Sequence, residues 1–106
     1  MTSKQRAYLR GLAHHIDPIF QIGKGGISDN LINQLSDALE ARELIKISVL
    51  DNAPDVAKSF GSCVAEATHS ELVQVIGNKI TLYRPRKKDS KIVLPNVYSK
   101  LSLGKT

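Results

Sequence analysis

Ile19-Phe20-Gln21-Ile22-Gly23-Lys24-Gly25-Gly26-Ile27-Ser28 reads as a strand, a glycine turn and a helix start, in that order. An apolar run leads into three glycines and one lysine, and an amphipathic helical pattern begins at Ser28 or Asp29. Glycine admits positive φ and leaves no side chain between the backbone and a ligand. The helix start behind it offers unpaired N–H groups and the positive end of a dipole. Lys24 adds a mobile full charge at the tip. These features suit a phosphate group. A strand that turns through glycine into a helix and on to another strand is also a crossover unit, which sets the fold class as α/β.

Working outward, residues 3–16 have a helical pattern, with Ser3 as its cap and Leu9, Leu12, Ala13 and Ile16 on one face. Arg6 and Arg10 sit one turn apart, away from that face. Asp17-Pro18 breaks the helix, because proline disfavours helical geometry at the residue before it. Residues 29–41 form a second helix with Leu31, Ile32, Leu35, Ala38 and Leu39 turned inward. Residues 44–50 follow as a strand, with Ile45, Ile47 and Val49 on one face and Lys46 and Ser48 on the other. Asp51-Asn52-Ala53-Pro54 opens a third helix that runs to about Thr68 and buries Val56, Phe60, Val64 and Ala67. Gly61 inside it costs about 1 kcal/mol relative to alanine.

Residues 71–76 and 79–84 are two further strands joined by a tight Gly77-Asn78 turn. The register of that turn pairs Val75 with Ile80, Val73 with Leu82, and Glu71 with Arg84 as a cross-strand charge pair. After Pro85 comes a charged linker, residues 86–91, then the apolar run Ile92-Val93-Leu94, a candidate edge strand, before Pro95. The resulting order is helix-strand-helix-strand-helix-strand-strand. It predicts a single small α/β domain over residues 1–95, a four-stranded mixed sheet packed with helices, and a flexible C-terminal tail over residues 96–106. Two strand-helix-strand crossovers imply parallel pairing, and the last hairpin adds an antiparallel strand.

The chain has 106 residues, enough for one core, and its 42% hydrophobic and 24% charged composition is ordinary for a soluble globular protein. Its single cysteine, Cys63, excludes an internal disulfide and fits a reducing cytoplasm. The polar, basic first ten residues lack the apolar run of a signal peptide, and no stretch approaches the ~18 apolar residues of a membrane span. Charge is segregated along the chain. Residues 1–26 hold four Lys/Arg against one Asp, residues 27–78 three against eight Asp/Glu, and residues 79–106 eight against one, so both ends are basic and the middle acidic. Basic ends of this kind expect a polyanionic partner.

The glycine loop does not match the nucleotide fingerprints. A Walker loop closes on Gly-Lys-Ser/Thr, and none does here; G-x-G-x-x-G starts at Gly23 and Gly25 but meets Ser28 in place of its third glycine. Gly23-Lys24-Gly25-Gly26 does match the Gly-x-x-Gly loop with which KH-type modules clamp a nucleic-acid backbone. No cofactor, metal site or catalytic residue is expected. His14 and His15 are adjacent on a helix and diverge by about 100°, and Cys63 reads as a small apolar filler of the third helix. Of the aromatics, Phe20 and Phe60 look like core and Tyr83 is the one fair candidate for base stacking, so contact to nucleic acid should be mainly to backbone and shape.

Several stretches together resemble the CRM domain (chloroplast RNA splicing and ribosome maturation), in particular its stand-alone bacterial YhbY-like branch. They are Leu9-Arg10-Gly11-Leu12-Ala13-His14, Ile22-Gly23-Lys24-Gly25-Gly26-Ile27-Ser28, Glu43-Leu44-Ile45-Lys46-Ile47, and Leu72-Val73-Gln74-Val75-Ile76-Gly77 with Leu82-Tyr83-Arg84-Pro85. The resemblance covers roughly residues 3–95. It implies a non-enzymatic RNA-binding module similar in fold to the C-terminal domain of translation initiation factor three. It also implies association with ribosomal RNA in precursors of the large ribosomal subunit. The RNA contact it implies is the loop Gly23, Lys24, Gly25 and Gly26. Arg6 and Arg10, and Arg84, Arg86, Lys87 and Lys88 after the hairpin, would extend the basic surface. A cytoplasmic monomer with no membrane partner is the expectation. Two other uses of the same features are a site for a small phosphorylated ligand at the loop and a protein-interaction module.

Overall fold

The computed structural model describes residues 1–86 and residue 92. Lys87, Lys88, the run Val93-Leu94 and the tail 96–106 lie outside the described residues, and with them the expected edge strand and the end of the domain.

Helix α1 spans Ser3–Ala13 and is capped by Thr2, not Ser3. The Thr2 hydroxyl accepts from Gln5 N–H at 3.1 Å and the Gln5 side chain accepts from Thr2 N–H at 3.1 Å, a reciprocal box. The helix ends at Ala13, short of the expected Ile16. Lys46 Nζ donates to the Ala13 carbonyl at 2.6 Å and so satisfies an orphan group of the last turn. Strand β1, Phe20–Ile22, leads into the glycine loop, and α2, Asp29–Arg42, starts from a Ser28 cap whose hydroxyl accepts from Leu31 N–H at 3.1 Å. Strand β2 is Leu44–Val49, α3 is Ala57–Ala67, and β3, Glu71–Ile76, turns through Gly77-Asn78 into β4, Lys79–Tyr83.

The sheet order is β1-β2-β4-β3. β1 and β2 are parallel, as one crossover predicts, but the second crossover does not bring β3 beside β2, because β4 pairs antiparallel with both and lies between them. Val75 does face Ile80, but the expected register does not persist. Leu72, not Val73, faces Leu82, and Glu71 faces Tyr83, not Arg84. A bulge between Leu72 and Gln74 is the cause. It sends Glu71 towards Arg6, at 4.0 Å, while Arg84 pairs with Glu40 at 3.8 Å.

Helices cover both faces. On one, α2 and α3 bury Ile22, Leu35, Leu39, Ile45, Ile47, Phe60, Val64, Ile80 and Leu82. On the other, α1 packs Leu9 and Ala13 on Leu44, Val73 and Tyr83, and Ile92 adds to that cluster. Lys46 and Ser48, opposite Ile45, Ile47 and Val49 as expected, therefore lie on the α1 side, Lys46 half-buried and Ser48 buried. Within α3, Val56 is a cap left 64% exposed and Ala67 is exposed, while Ala57, Gly61 and Ala65 turn inward with Phe60 and Val64. Cys63 is free and exposed, on the face away from the core, and fills nothing. Gly61 is there for contact: a Cβ on it would stand 3.1 Å from Val75 Cγ2 and 3.2 Å from a Leu72 methyl. Its helix cost is the condition for α3 to lie close on β3.

Candidate nucleic-acid interface

The loop is closed by Gly26 N–H donating to the Gly23 carbonyl at 2.9 Å, with Gly26 at φ +68°. Gly26 is thus the glycine the turn requires, and a Cβ there would also press on Pro54 Cγ at 3.2 Å. Gly25 is different. It is exposed, its φ is not positive, and nothing lies within 4 Å of where a Cβ would stand. Gly23 lies against Leu50 at ordinary contact distance. The loop following β1 is therefore packed beside the loop following β2, and the two precede the N-termini of α2 and α3. Lys24 is exposed and has no ion pair among the described residues. Three carboxylates share this end, Asp29 in the first turn of α2 and Asp51 and Asp55 before α3; Asp55 is turned back on its own loop, accepting from Val56 N–H at 2.7 Å.

The other basic residues fall into two groups. Arg10 is exposed on α1 and has no partner among the described residues. Arg6 and Arg84 are committed inward. Arg6 donates to the Leu72 and Val73 carbonyls and so holds α1 onto the bulge of β3. Arg84 donates to the Ser36 carbonyl at 2.7 Å, the Ser36 hydroxyl at 3.1 Å and the Thr68 carbonyl at 2.8 Å, tying α2 to the end of α3. Its side chain is 20% exposed. Nor does the fold gather these residues at the loop. Arg84 and Arg86 follow Tyr83, which faces Leu44 at the start of β2, whereas the loop follows Ile22, which faces Val49 at its end. At the rise of a strand that is about 16 Å of separation.

That far end is organised by Glu43, which periodicity did not single out. It sits at φ +68° between α2 and β2, fully buried. Its carbonyl accepts from Arg84 N–H at 2.9 Å, and its carboxylate accepts from Arg86 N–H at 3.3 Å and Ile92 N–H at 3.2 Å. Tyr83 beneath it is 4% exposed and is no stacking platform; burial, and then the Glu43 charge, push its phenol pKa up. The only signal for Glu43 in the sequence was a charged residue between a helix and a strand, where glycine is usual.

A cavity of about 560 Å³ is lined by Leu12, Ile16, Ile19, Arg42, Lys46 and Ile92 among others, and by no residue of the glycine loop. Among the described residues no three His, Cys, Asp or Glu side chains gather as a metal cluster, and no helix is long and apolar enough to cross a membrane.

The fold is a small α/β module, a four-stranded mixed sheet with helices on both faces and a lysine-tipped Gly-x-x-Gly loop between strand and helix. The chain belongs to the CRS1/YhbY (CRM) domain family, whose model matches residues 1–84. It is 50% identical over 95 residues to the "Probable RNA-binding protein YqeI" of Bacillus subtilis, covering 90% of this chain and 99% of that one. It is 33% identical over 95 residues to an RNA-binding protein of Haemophilus influenzae, covering 90% and 95%. The solution structure of SAV1595 from Staphylococcus aureus superposes with a TM-score of 0.76 at 58% identity, over 90% of this chain and 99% of that one.

Proposed function

We propose that this chain binds structured RNA through the Gly23–Gly26 loop, and that its target is ribosomal RNA in precursors of the large ribosomal subunit. The observation that carries the reading is Gly25. The turn needs Gly26 for its φ, but neither conformation nor packing needs a glycine at Gly25. A bare backbone beside an unpaired lysine supports close approach of a phosphate. Relatives named for RNA binding support the polymer over a small phosphorylated ligand. The ribosomal target rests on the resemblance to the YhbY-like branch. Lys24, Arg10 and Arg86 act as phosphate contacts, and Arg6 and Arg84 hold the scaffold. The protein acts without a cofactor, as a cytoplasmic monomer.

Salt titration tests the mechanism. About three to four neutralised phosphates give a slope of log K against log[salt] near −2 to −4. A slope near zero on fragments of large-subunit ribosomal RNA contradicts it. Crosslinking in cells with sequencing of the bound RNA tests the target, with reads expected in large-subunit ribosomal RNA and its precursors.

A further inference from the structure

Among the described residues, the sheet face on which α1 packs is covered least at the end away from Tyr83. Strand register sets its side chains in rows. Leu44 and Tyr83 form a row buried under Leu9 and Ala13 of α1. The next row is Lys46, Thr81 and Gln74, where α1 ends with its last carbonyl on Lys46. The row beyond is Gln21, Ser48, Lys79 and Ile76, and it lies past the end of α1; Ser48 in its middle is buried and Lys79 half-buried, while Gln21 is exposed and Ile76 61% exposed. A groove of about 200 Å³ opens there, lined by His14, Lys46, Gln74, Ile76, Lys79 and Thr81.

Three properties of this groove point to an anionic, hydrogen-bonding chain as its ligand. Its ionic groups are lysines, and no carboxylate lines it. Of the two, Lys46 is already held by the Ala13 carbonyl. The second property is the availability of Lys79, whose Nζ is held, among the described residues, by the Asn78 side chain of its own turn at 2.9 Å. The third is a mixture of donors with one large exposed apolar side chain, Ile76, in a volume below that of a pocket enclosing a whole cofactor. That combination suits a ribose and phosphate passing over the surface.

Position connects the groove to the glycine loop. Lys79 faces Ser48, one residue before the end of β2; Val49 N–H donates to the Asn78 carbonyl at 2.7 Å, and Val49 faces Ile22, the residue before the loop. Two strand spacings separate the loop from the hairpin, about 10 Å, the reach of neighbouring nucleotides.

We propose that this groove is a second RNA contact, with Lys79 on a phosphate and Ile76 against the adjoining sugar or base of the strand held by Gly23–Gly26. It rests on the loop reading above and extends it. The test measures binding of a fluorescein-labelled fragment of large-subunit ribosomal RNA to the full chain and to Lys24→Glu, Lys79→Glu and Ile76→Asp, with a melting curve for each. Both groove positions lie at the hairpin and their substitution leaves the core intact; should Lys79→Glu melt early, Lys79→Ala and Ile76→Asp decide. The expected result is a wild-type melt, affinity lowered about 10-fold by Lys79→Glu, and a salt slope smaller by about 0.7–0.9. Folded groove variants that bind as tightly as wild type, beside a weakened Lys24→Glu, overturn the groove and leave the loop reading standing. Unchanged binding by all three variants overturns both. Loss in the groove variants with none in Lys24→Glu removes the loop reading, and with it the proposal that the groove continues a strand held at the loop.

Discussion

Lys24 and Arg84 stand at opposite ends of β2 and carry the same charge, and the fold uses them in opposite ways. Lys24 leaves the surface on a loop with no ion pair among the described residues. Arg84 gives its guanidinium to two backbone carbonyls and a hydroxyl. The glycines show the same division. Gly61 is pressed against β3, whereas Gly25 faces open space. A cation or a glycine in this sequence is therefore evidence of function only once its neighbours are known. Counting basic residues towards a single RNA surface mixes groups that bind with groups that hold helices together.

Four substitutions sharpen that division. Arg84→Ala strands the Ser36 and Thr68 carbonyls, and charge-assisted bonds of this kind contribute about 1.5–3 kcal/mol each in favourable cases. A loss of about 3 kcal/mol in a urea melt is expected, with RNA affinity of the folded protein within about two-fold of wild type. Affinity lost without stability would place Arg84 among the binding groups instead. Gly61→Val overpacks the α3–β3 contact, and a fall of about 2 kcal/mol is expected, again without effect on affinity of the folded form. A variant as stable as wild type would show that α3 is not held close by that contact.

Gly25→Ala reverses the pattern. Stability stays within about 0.5 kcal/mol, as for ordinary surface changes, while RNA affinity falls because a methyl group stands where a phosphate should approach. Equal affinity would return Gly25 to the turn. The smallest effect is at the Glu43 end. The Tyr83 phenol is raised in the folded state by burial and then by Glu43. Unfolded tyrosine ionises near pH ~10, so the folded and unfolded chains bind the same proton below that value. Above it the unfolded chain releases the proton first, and stability falls with rising pH until the folded pKa is reached. Tyr83→Phe should flatten this alkaline limb of Tm against pH; an unchanged limb would assign it to other groups.

Local periodicity carried much of this architecture. The span of α2 was legible to within one residue because its apolar spacing and the Ser28 cap agree, and the Val75–Ile80 pairing was legible because Gly77-Asn78 dictates it. What sequence could not supply was contact between distant segments. At the bulge around Val73, Arg6 and α1 engage β3 from one side while α3 packs from the other. Alternation put Lys46 on the face opposite Ile47 but could not show that a helix is laid across that face. Arg84 was counted with the basic surface, and the role of Glu43 was not visible, because their partners lie up to 49 residues away. At the candidate site, the Gly-x-x-Gly pattern and Lys24 were readable from the chain itself. Lys79 and Ile76 were not, since only strand register places them at the same end of the sheet.

The central claim is that the loop at Gly23–Gly26 is a phosphate contact and more than a turn. Lys24→Glu tests it most directly, because it reverses a charge on an exposed side chain and removes no core volume. The account predicts a melting curve within about 0.5 kcal/mol of wild type. It predicts affinity for large-subunit ribosomal RNA lowered about ten-fold to a hundred-fold, the loss of one charge-assisted contact. An unchanged melt together with unchanged affinity would contradict it.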